Sequence, residues 1–296
     1  MRIVSLLPSS TEILFALGLG DDIVGVTFEC DYPSAAREKR IVSTSTLPEG
    51  LTPAEIDTVV KERIAAGEDL YKLDRGAFAQ IDPTLVVTQD LCAVCAIDVG
   101  EVDDALAYLG CSADVVTLDP MSLSEVVDSV LMVAEATGTS VRARELIDQL
   151  QERLEKVAAL VGGASRPKAL VLEWTDPAFT AGHWVPDLVE AAGATCALGR
   201  AGEHSVGVEW STVAEAEADV VIVSPCGYRL DGAAELGEEL LGRDVLPPAA
   251  QVWAIDADHY MVRPGPRVVE GVEILSTIFH PDRTGLPDPL RARRLR

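Results

Sequence analysis

The residues of this chain with the most chemistry to offer are its six cysteines, four histidines and four tryptophans, and they are unevenly spaced. Cys92 and Cys95 form a C-x-x-C pair, which puts two sulfurs within reach of one metal ion or of each other. Cys30, in FECDYP, and Cys226, in SPCG, are the available third and fourth ligands. Soft thiolates favour zinc, copper(I) or an iron–sulfur cluster, and a site with three protein sulfurs keeps the open position a catalytic metal needs. The expectation is that Cys30, Cys92 and Cys95 converge near Tyr32, at the edge of a ligand site. Cys111 and Cys196 read as small core hydrophobes. No second C-x-x-C completes a zinc ribbon. Nor does the sequence contain a G-x-G-x-x-G, a P-loop or a G-x-S-x-G.

A second set of residues is aromatic. Short β-branched runs recur along the chain, and large rings follow them: Tyr32 in the first half, then Trp174, Phe179, Trp184 and Tyr260, with His183 and His259 beside them. Loops are solvated and seldom need large rings for packing alone, so rings gathered at strand exits suggest walls for a ligand. In open parallel sheets ligands sit beyond the carboxyl ends of the strands. Trp210, in VEWSTV, fits a core position and a ligand position equally.

The elements that must position these residues are legible from spacing. Ser122 to Gly138 opens with a capping box, Ser122 and Glu125, and ends on a glycine. Apolar residues at Leu123, Val126, Val127, Val130, Leu131 and Ala134 follow helical spacing, predicting a backbone helix over 122–138 between two α/β lobes, 1–121 and 139–296. Strands are predicted at Ile3 to Leu6, Ile23 to Thr27, Leu85 to Thr88, Val115 to Leu118, Ala169 to Leu172, Val220 to Ser224 and Val252 to Ile255. Helices are predicted at Thr11 to Leu17 (capped by Ser9 or Ser10), from a Thr52–Glu55 capping box to Ala66, at Gly100 to Leu109, at Val141 to Leu160 and at Pro266 to Phe279. The basic tail, RARRLR, is expected to fray.

Composition narrows the function. A formal net charge of −24 and a pI near 4.4 argue against nucleic acid or an anionic membrane as partner. No stretch approaches the ~20 apolar residues of a membrane-spanning helix. Met1 and Arg2 lead straight into IVSLL, too short for a signal core, so a cytoplasmic protein is expected, with its cysteines unpaired by disulfides.

In order along the chain, SLLPSSTEILFALGLGDDIVGVT, CDYP, IDPTLVVTQ and SLSEVVDSVLMVAEATG resemble the cobalamin-binding proteins of the helical-backbone class of substrate-binding proteins. LEWTDPAFTAGHWVPDLVEAAGA, VEWSTVAEAEADVVIVSPCG and RPGPRVVEGVEIL extend the resemblance over nearly the whole chain. It implies an α/β fold of two lobes with mostly parallel sheets, joined by one long helix, with a ligand cleft between the lobes. Carried over by position, it implies ligand contacts at Pro8, Tyr32, Trp174, Phe179, His183, Trp184, Trp210 and Tyr260. Exported receptors of this family carry signal sequences, and the absence of one here counts against a transporter partner. The cysteines also depart from the family pattern.

Two functional readings follow. The first is a cytoplasmic corrinoid-binding protein, with cobalamin held as a ligand in an aromatic cleft. The alternative is a metal- or iron–sulfur-dependent enzyme on the same scaffold, using Cys30, Cys92, Cys95 and Cys226 to hold zinc or a cluster. A non-catalytic interaction module is a third. The sequence leaves turnover open.

Overall fold

A computed structural model describes residues 1–66, 68, 70–74, 76, 80–89 and 113–296. The predicted helix at Gly100 to Leu109, and Cys92, Cys95 and Cys111, lie outside the described residues. The chain forms two compact α/β units: Met1–Pro120 with Val127–Asp148, and Met121–Val126 with Gln149–Arg296.

The first unit is built on one sheet, in the order β4-β3-β2-β1-β5-β6 among the described residues. Its strands are β1 (Ile3–Ser5), β2 (Ile23–Thr27), β3 (Ile41–Ser45), β4 (Tyr71–Leu73), β5 (Leu85–Thr88) and β6 (Asp114–Thr117). All neighbours pair parallel except β3 with β4. The central strands IVS and LVVT are buried at every position, as a strand covered on both faces requires. β3 (IVSTS) and β4 (YKL), partly polar, escape a hydrophobic-run reading.

Helix α1 (Pro8–Ala16) begins earlier than predicted, with Pro8 in its first turn. Neither Ser9 nor Ser10 caps it. The cap position is Leu7, and the Ser10 hydroxyl turns back to the Leu7 carbonyl at 3.0 Å. The fixed backbone angle of proline suits the first helical position and starts the helix without a polar cap. Helix α2 (Pro53–Ala66) keeps both strokes of its capping box: Thr52 N donates to Glu55 Oε2 at 2.8 Å, and Glu55 N donates to Thr52 Oγ1 at 3.4 Å.

Helix α3 (Leu123–Thr137) is the predicted backbone helix, ended by Gly138 at φ +69°. Glu125 N donates to Ser122 Oγ at 3.3 Å, and Leu123 N donates to Asp187 Oδ2 at 2.9 Å. Its buried apolar positions are Val126, Val127, Val130, Val133 and Ala134. Leu131 is exposed, and Val133 takes the place it was expected to hold. Helix α4 (Ser140–Val161) follows; from it Arg142 donates to the Leu17 carbonyl, and Arg153 grips Glu273 with two bonds of 2.9 and 2.7 Å.

The second unit's sheet runs β10-β8-β7-β11-β12-β13, with β9 also on β7. Its parallel centre is β7 (Lys168–Thr175), β11 (Val220–Val223) and β12 (Gln251–Ile255). β8 (Ala178–Thr180) and β10 (Gly207–Val208) extend one side antiparallel, and β9 (Thr195–Cys196) pairs parallel with β7. Helices α5 (Val185–Ala191), α6 (Trp210–Ala214), α7 (Leu230–Gly242), α8 (Ala257–Tyr260), α9 (Val268–Phe279) and α10 (Pro281–Thr284) complete the unit. The tail expected to fray is β13 (Ala292–Arg294), antiparallel to β12. Ala292 is buried, Leu295 packs on the core, and Leu295 N donates to the Val252 carbonyl at 2.8 Å, so apolar contacts and a ladder bond hold the basic segment in place.

Candidate functional site

In the second unit the three central parallel strands deliver their next residues to one end of the sheet. β7 ends in Glu173, Trp174 and Thr175. Beyond β11 come Ser224, Cys226 and Tyr228, and beyond β12 come Asp256, His259 and Tyr260. Trp174 and Tyr228 meet edge to face, with ring centroids 5.9 Å apart. Phe179 on β8 stands opposite Trp174 in the antiparallel register. These three rings, each half-buried, make the aromatic part of the site.

Polar groups share these strand ends. The hydroxyls of Thr175 and Ser224 are buried and find no hydrogen-bond partner among the described residues. Such orphans are rare in folded proteins and mark a place for water or a ligand group. Asp256 caps α8, accepting from His259 N at 3.1 Å and meeting His259 Nδ1 at 2.8 Å. The Tyr260 ring, 5.9 Å from that of His259, carries the Arg291 guanidinium 5.3 Å from its centroid; burial is the main cause that pushes its phenol up. Arg263 pairs with Asp258 at 3.5 Å, and Arg291 with Glu270 at 2.9 Å.

A short connection joins this end of the sheet to the loop before β10. His183 Nε2 and His204 Nδ1 stand 3.1 Å apart. Glu173 accepts from Gly182 N at 3.2 Å and from the Ser205 hydroxyl. Burial lifts the Glu173 carboxyl to about 7 against these two bonds, and burial, followed by the charge of His204, holds His183 below the usual imidazole range.

Two tryptophans expected at the site are placed differently. Trp184 is 6% exposed, and its indole N–H donates to the Met261 carbonyl at 2.8 Å. Trp210 opens α6, packs on the second unit's core, and carries Arg243 4.8 Å from its ring centroid. Tyr228, Glu173 and His204 were missed. Tyr228 follows β11 as Trp174 ends β7, so the strand-exit rule would have found it; Glu173 and His204 carry no sequence signal of their own.

In the first unit, Pro8 is buried in the first turn of α1, while Tyr32 is 46% exposed. Phe28, unremarked in the sequence, is 41% exposed just past β2, its ring 6.2 Å from that of Tyr71. Cys30 requires correction. It is 4% exposed, belongs to the hydrophobic core, and has its Sγ 3.0 Å from Thr11 Oγ1. Thr11 in turn donates to Ser5, so the thiol sits at a buried hydroxyl cluster and not on a ligand-facing loop. Cys226 is exposed on the second unit. Cys92 and Cys95 lie outside the described residues, and among the described residues no group of three or more His, Cys, Asp or Glu could hold a metal ion. The metal- or cluster-enzyme alternative therefore has no support there.

The chain belongs to the periplasmic binding protein family, whose model matches residues 3–251. It is 25% identical over 288 residues to the uncharacterized ABC transporter substrate-binding lipoprotein YvrC of Bacillus subtilis, covering 95% of this chain and 80% of that protein. A vitamin B12-binding protein of Vibrio vulnificus is 35% identical over 83 residues, 26% of this chain and 29% of its own length. Among solved structures, the periplasmic vitamin B12 binding protein BtuF of Vibrio cholerae aligns with a TM-score of 0.68 at 20% identity, covering 94% of this chain and 96% of that one. A periplasmic heme binding protein from Pseudomonas aeruginosa aligns with a TM-score of 0.73 at 17% identity, covering 99% and 97%. The two α/β lobes of the substrate-binding-protein fold are thus those that the resemblance implied.

Proposed function

We propose that this protein binds a corrinoid, cobalamin first among them, at the strand ends that carry Trp174, Phe179, Tyr228 and Tyr260. The observation that carries the reading is the aromatic set itself, edge to face at Trp174 and Tyr228, with two buried unpartnered hydroxyls at the same strand ends. A corrin is wide and flat, with an apolar ring and a rim of amides. Rings suit its face, and hydroxyls such as those of Thr175 and Ser224 suit its amides. The B12-binding relatives point the same way.

The haem-binding relative raises a porphyrin as a second reading. A haem brings two propionates and needs cations for them. Here Arg263 and Arg291 are each paired with carboxylates, in a chain of net charge −24, and a corrin rim of neutral amides makes no such demand. Equilibrium dialysis against cyanocobalamin and haemin in parallel separates the two. Retention of cyanocobalamin over haemin is expected, and the reverse order would replace the corrinoid with a porphyrin.

We also propose that the protein works in the cytoplasm. Cys226 carries an exposed thiol suited to a reducing compartment. Fractionation of native cells, with immunodetection of the untagged chain, tests this; recovery from the membrane or the exported fraction would refute it.

A further inference from the structure

We propose that His183 and His204 form a chelating pair for a late first-row divalent cation, of the class of Ni2+ or Cu2+. The proposal stands apart from the corrinoid reading and needs no bound ligand.

The spacing carries it. In the right-angled coordination of Ni2+ or Cu2+, two nitrogens each about 2.1 Å from one cation stand about 3.0 Å apart. His183 Nε2 and His204 Nδ1 are 3.1 Å apart, with their rings crossed at 83°. Without a cation the two nitrogens share a proton. With one, that proton shifts to the outer nitrogen of the same ring, and both inner lone pairs are released to the metal. Neutral imidazoles do this without net proton loss.

The pair is also held from behind, so little ordering remains for the cation to impose. His183 N donates to the Glu203 carbonyl at 2.6 Å, and Gly202 N donates to the His183 carbonyl at 3.0 Å. One residue outward, the Glu173 carboxylate takes Gly182 N on one strand of the connection and the Ser205 hydroxyl on the other. Gly182 permits this closeness, because a Cβ there would overlap the backbone nitrogen of Ser205. His183 itself sits at φ +51°, a conformation that side chains other than glycine seldom adopt. Imidazole nitrogens select copper, nickel and zinc over calcium or magnesium. With two protein ligands the remaining positions belong to water, which sets a micromolar affinity instead of the tighter grip of a structural zinc.

The test uses the full chain, stripped with EDTA and freed of chelator. NiCl2 is titrated into wild type, His204→Gln and His183→Gln by calorimetry, and Co2+ is added to watch the histidine ring protons by NMR. The expected result is one site of micromolar affinity, weakened at least about tenfold in each variant. Co2+ should broaden the His183 and His204 ring signals before those of His259 and His280. His204 is exposed, so His204→Gln leaves the fold intact and is the deciding variant. Wild-type affinity in that variant, no saturable binding below millimolar Ni2+ in wild type, or first broadening at His259 or His280 would each overturn the proposal.

Discussion

The indole nitrogen of Trp184 donates to the backbone carbonyl of Met261 at 2.8 Å, tying the start of α5 to the end of α8. Trp184 thus helps hold the segment that presents His259 and Tyr260, while its own ring stays buried. Trp184→Phe keeps much of the ring and removes the donor. A buried carbonyl left without its partner costs about 1–3 kcal/mol, so a fall of that size in urea-unfolding stability is expected. Stability equal to wild type would show that the bond contributes nothing.

Glu173 gives the fold a pH dependence of defined sign. Folding raises its carboxyl from 4.5 to about 7, so the folded protein holds the proton more tightly than the unfolded chain. The stability this contributes is complete below about pH 4.5, declines as pH rises toward 7, and is gone above. Glu173→Gln keeps a neutral acceptor for Gly182 N and removes the titration. Between pH 4.5 and 8, wild type should lose on the order of 2 to 3 kcal/mol relative to the variant, measured from denaturant midpoints. Parallel pH profiles would refute the assignment.

The Thr52–Glu55 capping box is exposed, and neither residue belongs to the candidate site. Thr52→Ala should cost about 0.5–2 kcal/mol of stability and leave ligand affinity unchanged. A change in affinity would mean that α2 reports to the site by a route that its hydrogen bonds do not reveal.

Much of the fold was legible because it rests on local rules. Runs such as LVVT and VVIV read as strands since they are buried on both faces, and Ser122, Glu125 and Gly138 mark α3 from its two ends. Short strands were lost where pairing, not hydrophobicity, decides. β8 and β10 exist because Phe179 and Gly207 stand opposite each other, which spacing along the chain does not encode. The tail followed the same logic, its arginines masking a strand that Ala292 and Leu295 anchor.

The site was legible in part. Trp174 and Phe179 were expected as rings near strand exits, and the structure places Trp174 near the end of β7 and Phe179 opposite it on β8; Tyr228 follows β11 in the same way. Cys30 was misplaced, because a strand end fixes where a residue sits in the chain but not which way its side chain turns; the Thr11 hydroxyl and the core drew it inward. The His183–His204 pair joins residues twenty-one positions apart and depends on the close backbone approach at Gly182, which no local pattern announces.

The central claim is that the aromatic strand ends of the second unit bind a corrinoid. Its most direct test is a calorimetric titration of the purified full chain with cyanocobalamin, run beside Trp174→Ala. The account predicts a single saturable site at micromolar ligand or below, weakened at least about tenfold when the Trp174 ring is removed. No saturable heat in wild type, or the same affinity in Trp174→Ala, would contradict it.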